Sequence, residues 1–101
     1  MRDDFEIEDD EPVHAGTAVI ESRFQVIMFF HDLDASDMTG TEPTFDEAKE
    51  TAMRIGLREV MKGALNFHLE VFDLMARRGR PDTWRQDGGG TWRSVHVKGV
   101  S

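Results

Sequence analysis

The chain of 101 residues contains no cysteine. That excludes a disulfide framework, a thiolate zinc site and a cysteine nucleophile, and it fits a reducing compartment. Long apolar runs are also missing. The longest, Val26 to Phe30, falls far short of the roughly 20 residues a membrane-crossing helix needs. Basic residues are scarce at the start. Residues 1–11 carry seven acids and one arginine, the opposite of a secretory leader. The expectation is a soluble cytoplasmic protein with no membrane partner, and 101 residues make one domain with a modest core.

The net charge of −8 is uneven. Residues 1–11 contribute −6, residues 12–75 another −6, and residues 76–101 contribute +4. Overall acidity keeps small proteins apart in solution and disfavours non-specific contact with nucleic acid. Residues 1–12 form an acidic segment too poor in apolar side chains to offset its own ordering entropy. A single small domain is expected over residues 13–101.

The tripeptide Thr-Trp-Arg occurs twice, at Thr83-Trp84-Arg85 and Thr91-Trp92-Arg93, around Gln86-Asp87-Gly88-Gly89-Gly90. The glycines mark the fold-back of a two-stranded ribbon over Asp82–Asp87 and Thr91–Lys98. With Gly88 and Gly89 as the loop, Trp84 would oppose Arg93 and Arg85 would oppose Trp92. Each face would then carry one tryptophan–arginine pair.

Thr17 to His31 is the strongest upstream strand candidate, rich in β-branched and aromatic residues. Alternation puts Phe24, Val26, Met28 and Phe30 on one face and Ile27 and Phe29 on the other, so the strand is expected to be central. Asp32 to Gly40 reads as a polar loop. A helix follows, with Thr44 and Glu47 as a capping box and Phe45, Ala48, Ala52, Ile55, Gly56, Val60 and Ala64 as its apolar stripe, widened by Met53 and Leu57. Gly56 costs about 1 kcal/mol relative to alanine, which points to close approach to a sheet. Lys62 and Gly63 form the last turn and cap. Residues 64–76 match both periods; the break at Gly63 and the alternation of Phe67, Leu69 and Val71 favour a strand.

Asp32-Leu33-Asp34-Ala35-Ser36 follows an apolar strand and resembles the Asp-x-Asp-x-Thr nucleophile motif of haloacid-dehalogenase-like phosphatases. That resemblance implies a doubly wound parallel sheet, a distant lysine and a later acidic pair for magnesium. A chain of this length with one clear helix cannot supply that fold, and the likeness ends at five residues. The same loop half-matches a calcium loop at Asp32, Asp34 and Ser36, but Asp37 and Pro43 stand where glycine and glutamate are required. His14, His31, His68 and His96 lack helical metal spacing. His31 beside Asp32, or His68 near Glu70, becomes an acid–base pair only through tertiary contact. No catalytic residue, cofactor or metal site is expected.

The expected architecture is α+β: an antiparallel sheet of four or five strands with one main amphipathic helix on one face. One helix covers one face, so Ile27, Phe29, Phe72 and a tryptophan on the other call for a cover. Arginine with tryptophan is a hot-spot composition. The reading is a small non-catalytic interaction or regulatory protein, a homodimer or bound to a protein partner, with Trp84, Arg85, Trp92, Arg93, Ile27, Phe29 and Phe72 as contact residues. One alternative is an acidic inhibitor, of phage or mobile-element type, that mimics nucleic-acid charge. Another is a ligand-binding protein or enzyme with a histidine pocket.

Overall fold

A computed structural model describes residues 22–33, 35–64, 66–86 and 91–99. The acidic segment 1–12, the upstream part of the Thr17–His31 strand, Asp34 and the three glycines of the hairpin lie outside the described residues. Five strands, β1 (Phe24–Phe30), β2 (Ala35–Glu42), β3 (Phe67–Asp73), β4 (Pro81–Gln86) and β5 (Trp92–Val97), form one antiparallel sheet in the order β2-β1-β3-β4-β5. Helix α1 (Phe45–Met61) connects β2 to β3 and lies over β2, β1 and β3. The expected α+β arrangement is the one observed, with β1 inside the sheet between β2 and β3.

Each end of α1 follows from local chemistry. Thr44 Oγ1 accepts from the Glu47 backbone N–H at 3.1 Å. Its hydroxyl donates to Glu47 Oε1 at 2.9 Å, so the Glu47 side chain meets the hydroxyl instead of the cap's backbone N–H. At the other end Gly63 takes φ 96°, the Gly63 N–H donates to Val60 O at 2.9 Å and the Ala64 N–H to Glu59 O at 2.9 Å. This is the paired closure of a left-handed glycine cap. The structure gives α1 17 residues.

The core lies between α1 and the sheet. Phe24, Val26 and Met28 of β1, Val71 of β3, and Trp84 of β4 meet Phe45, Ala48, Ala52 and Ile55 of α1. The Phe45 ring links Phe24 (centroids 5.9 Å apart) to Trp84 (4.8 Å). Gly56 brings the helix onto β3: a Cβ there would lie 3.3 Å from Leu69 Cδ1. At the end of β1 away from His31, Arg23 and Asp73 form a bidentate pair, Nε to Oδ1 at 2.8 Å and Nη2 to Oδ2 at 2.9 Å. Asp73 Oδ1 also accepts from the Met75 N–H at 2.9 Å. Both oxygens of the buried carboxylate are thus hydrogen-bonded, as burial of charge demands.

Two expectations are corrected. The segment Asp32–Gly40 is not a loop throughout: β2 begins at Ala35 and pairs along all of β1, with an irregularity between Val26 and Ile27. Serine, aspartate and glycine are poor strand formers, but β1 offers a full row of backbone partners and this edge strand is mostly exposed. The hairpin register is also shifted by one residue. Trp84 opposes Ser94, Arg85 opposes Arg93 and Gln86 opposes Trp92. Five residues, 87–91, separate the paired positions instead of two central ones, so the tryptophan–arginine pairs do not form. A one-residue slip moves side chains to the opposite face, and here it brings both tryptophans to the α1 side.

Candidate interaction surface

The outward side of α1 changes character along its length. Its first half presents Asp46, Lys49 and Glu50. Its second half presents Met53, Leu57, Val60 and Met61, with relative exposures of 51%, 63%, 56% and 86%. These positions, at i, i+4, i+7 and i+8, lie on one helical face. They are not a widening of the buried stripe, which ends at Ile55.

Beside the stripe runs a groove of about 320 Å³ lined by Met53, Gly56, Leu57 and Val60 of α1, Phe67, His68 and Leu69 of β3, and Gln86 of β4. Helix α1 lies mainly over β2, β1 and β3 and reaches β4 through Phe45 on Trp84, and the groove opens toward Gln86 at the end of β4. Trp92 sits half-buried at this end and packs on the margin of the core.

The sheet places the seven expected contact residues in two groups. Trp84 is wholly buried beneath α1 and offers no surface. Trp92 is on the same side, as its pairing with Gln86 requires. Ile27, Phe29, Phe72, Arg85 and Arg93 share the opposite sheet face by strand alternation and register. The three apolar residues there are half-buried, while both arginines are exposed. The far sheet face adds exposed Met38 beside Ile27, whereas on α1 four exposed apolar side chains follow one another along a single helix face. Sequence reasoning passed over Val60 and Met61 as contact residues. The available signal was an apolar set spanning more of the helix circumference than one sheet-facing stripe can use.

The far sheet face carries a chain of hydrogen bonds. His31 Nε2 lies 2.6 Å from His68 Nδ1, and His68 Nε2 lies 2.8 Å from Glu70 Oε2. The Phe29 ring stacks on His68 with centroids 4.9 Å apart and planes 14° apart. The Asn66 amide donates to both carboxylate oxygens of Asp32, at 3.1 and 3.0 Å. Asp32 is thereby engaged in tying the turn after β1 to the start of β3. Ser36 and Asp37 are in strand β2. A separate polar cluster joins His96 Nδ1 and Thr83 Oγ1 to Asp82 Oδ1, at 2.8 and 2.9 Å. Among the described residues, no group of three or more His, Cys, Asp or Glu side chains is arranged to hold a metal ion. Nor is any helix among them long and apolar enough to cross a membrane.

Compared with known proteins, the chain matches no family model, no curated protein and no solved structure.

Proposed function

We propose that this is a small non-catalytic interaction protein that acts as a homodimer, with the α1 stripe as the contact. The observation that carries the reading is the run Met53, Leu57, Val60 and Met61, exposed along one face of a well-capped helix and bordered by an apolar groove. An ordered apolar surface of this kind marks an interaction site more often than a solvated face.

A second copy is the occupant the residues fit. When two α1 helices pack antiparallel about Leu57, Leu57 meets itself and Met53 faces Met61 of the other copy. The contact is self-complementary, as a two-fold interface requires. Glu50 of each helix then comes level with residue 64 of the second copy, within about two residues of its Lys62. The helix dipoles run in opposite senses, which adds to the same complementarity.

Light scattering over a concentration series tests this. The wild-type chain is expected to reach twice its 11.5 kDa chain mass, and Leu57→Glu to remain at the monomer mass with an unchanged far-ultraviolet circular dichroism spectrum. A wild-type mass that stays monomeric at millimolar concentration overturns the dimer and leaves the surface to a different protein.

A further inference from the structure

We propose that His31 and His68 form a site for one divalent transition-metal ion of the imidazole-preferring class, zinc, nickel or copper(II), with Glu70 as the outer carboxylate that orients His68.

Sheet register creates the site. Phe29 is the cross-strand partner of His68, and His31 follows two residues later, just past the end of β1. The His31 backbone N–H donates to Asn66 O at 2.9 Å, and the Asn66 side chain holds Asp32, so the turn that carries His31 is tied to β3 at two points. Two ring nitrogens on neighbouring strands thus converge to 2.6 Å, although the sequence spacing of the histidines shows no metal pattern.

The hydrogen bonds determine which nitrogens are free to ligate. An ionised carboxylate only accepts, so His68 Nε2–H donates to Glu70 Oε2 at 2.8 Å. Neutral His68 then directs the lone pair of Nδ1 at His31. His31 donates its Nε2–H to that lone pair. A metal ion replaces this shared hydrogen: it accepts lone pairs from His68 Nδ1 and His31 Nε2, while His31 shifts its proton through solvent to Nδ1. The hydrogen that leaves His31 Nε2 is matched by the one gained at Nδ1, so the exchange balances. A carboxylate on the far nitrogen of a ligating histidine is the usual outer-sphere arrangement of such sites.

The required movement is small and falls on the residue free to make it. Metal–nitrogen bonds of 2.0–2.1 Å at a tetrahedral centre separate the two nitrogens by roughly 3.3 Å. His68 is held by Glu70 and by the Phe29 ring. His31 is exposed at the strand end and supplies the opening by a side-chain rotation. With two protein donors, the remaining positions go to water or a small ligand. The imidazole pair selects against magnesium and calcium, which demand oxygen donors.

Titration calorimetry of the full chain with zinc chloride tests the site. One saturable equivalent is expected, lost in His31→Ala and in His68→Gln, and weakened about 10–100-fold in Glu70→Gln. The double variant His14→Ala/His96→Ala is expected to bind as wild type, and magnesium chloride to give no saturable heat. His31 is exposed, so its substitution leaves the fold intact, and circular dichroism checks each variant. Absence of saturable zinc binding, or binding that persists unchanged in His31→Ala, overturns the proposal. The zinc readout is separate from the dimer readout: Leu57→Glu is expected to keep the zinc equivalent while losing the dimer mass.

Discussion

The Phe45 ring meets the Trp84 indole with centroids 4.8 Å apart and planes tilted by 53°. Phe45 is the first residue of α1, and Trp84 is the one tryptophan fully withdrawn from solvent. The helix start is thereby clamped onto the fourth strand, well away in sequence, and the two tryptophans acquire different roles.

Trp84→Ala is expected to lose about 3–5 kcal/mol, the usual cost of emptying a buried aromatic site. Trp92→Ala is expected to lose less than half of that, because Trp92 is half-buried at the edge of the core. Urea denaturation measures both. Acrylamide quenching of single-tryptophan variants gives a second check: Trp84 is expected to be protected and Trp92 accessible.

The Arg23–Asp73 pair is buried, with side-chain exposures of 9% and 1%. Removing one partner strands the other charge away from water. Arg23→Met or Asp73→Leu is therefore expected to cost about 3–5 kcal/mol. The double variant Arg23→Met/Asp73→Leu is expected to be more stable than either single one, since it leaves no charge unpaired. Chemical denaturation of the four proteins in a double-mutant cycle would show equal and additive losses if the pair were not coupled.

Gly56→Ala tests the close approach of helix and sheet. Alanine improves helix propensity by about 1 kcal/mol, against a new contact at 3.3 Å to Leu69 Cδ1. Leu69 borders the open groove and can turn into it, so a net gain of a few tenths of a kcal/mol is expected. Gly56→Leu overfills the same gap and is expected to cost about 1–3 kcal/mol. Thermal melts that place the two variants in the opposite order would contradict the packing described.

Thr44→Ala removes the side-chain acceptor of the Glu47 N–H and is expected to cost about 1 kcal/mol. Thr44→Ser keeps the acceptor and is expected to stay close to wild type. Denaturation midpoints that do not separate the two would show that the cap contributes nothing.

The helix was legible because its signals are local. Thr44, Glu47, Gly63 and the spacing of Phe45, Ala48, Ala52 and Ile55 act within a few residues of one another, and each has one satisfactory backbone outcome. The strands at Phe24–Phe30 and Phe67–Asp73 were legible from alternation. Strand β2 was not, since Ala35–Glu42 has neither an apolar face nor strong strand formers, and its pairing is supplied by β1. The hairpin was visible, but not its register, which depends on how many residues lie between the paired positions.

The candidate surfaces follow the same division. Composition placed tryptophan with arginine, while the observed register sends the tryptophans to the helix side and sets Arg85 opposite Arg93. The apolar character of Met53, Leu57, Val60 and Met61 is written in the chain, but which stripe of α1 faces the sheet depends on where the helix is docked.

By itself the sequence determined the helix with its caps, the strands of alternating apolar pattern and the faces of those strands, because these arise from backbone sterics and hydrogen bonds among near neighbours. Only the tertiary structure decided the edge strand, the ribbon register, the side of α1 left open and the meeting of His31 with His68. Each of those depends on contacts between residues far apart in the chain, whose alignment no short stretch of sequence specifies.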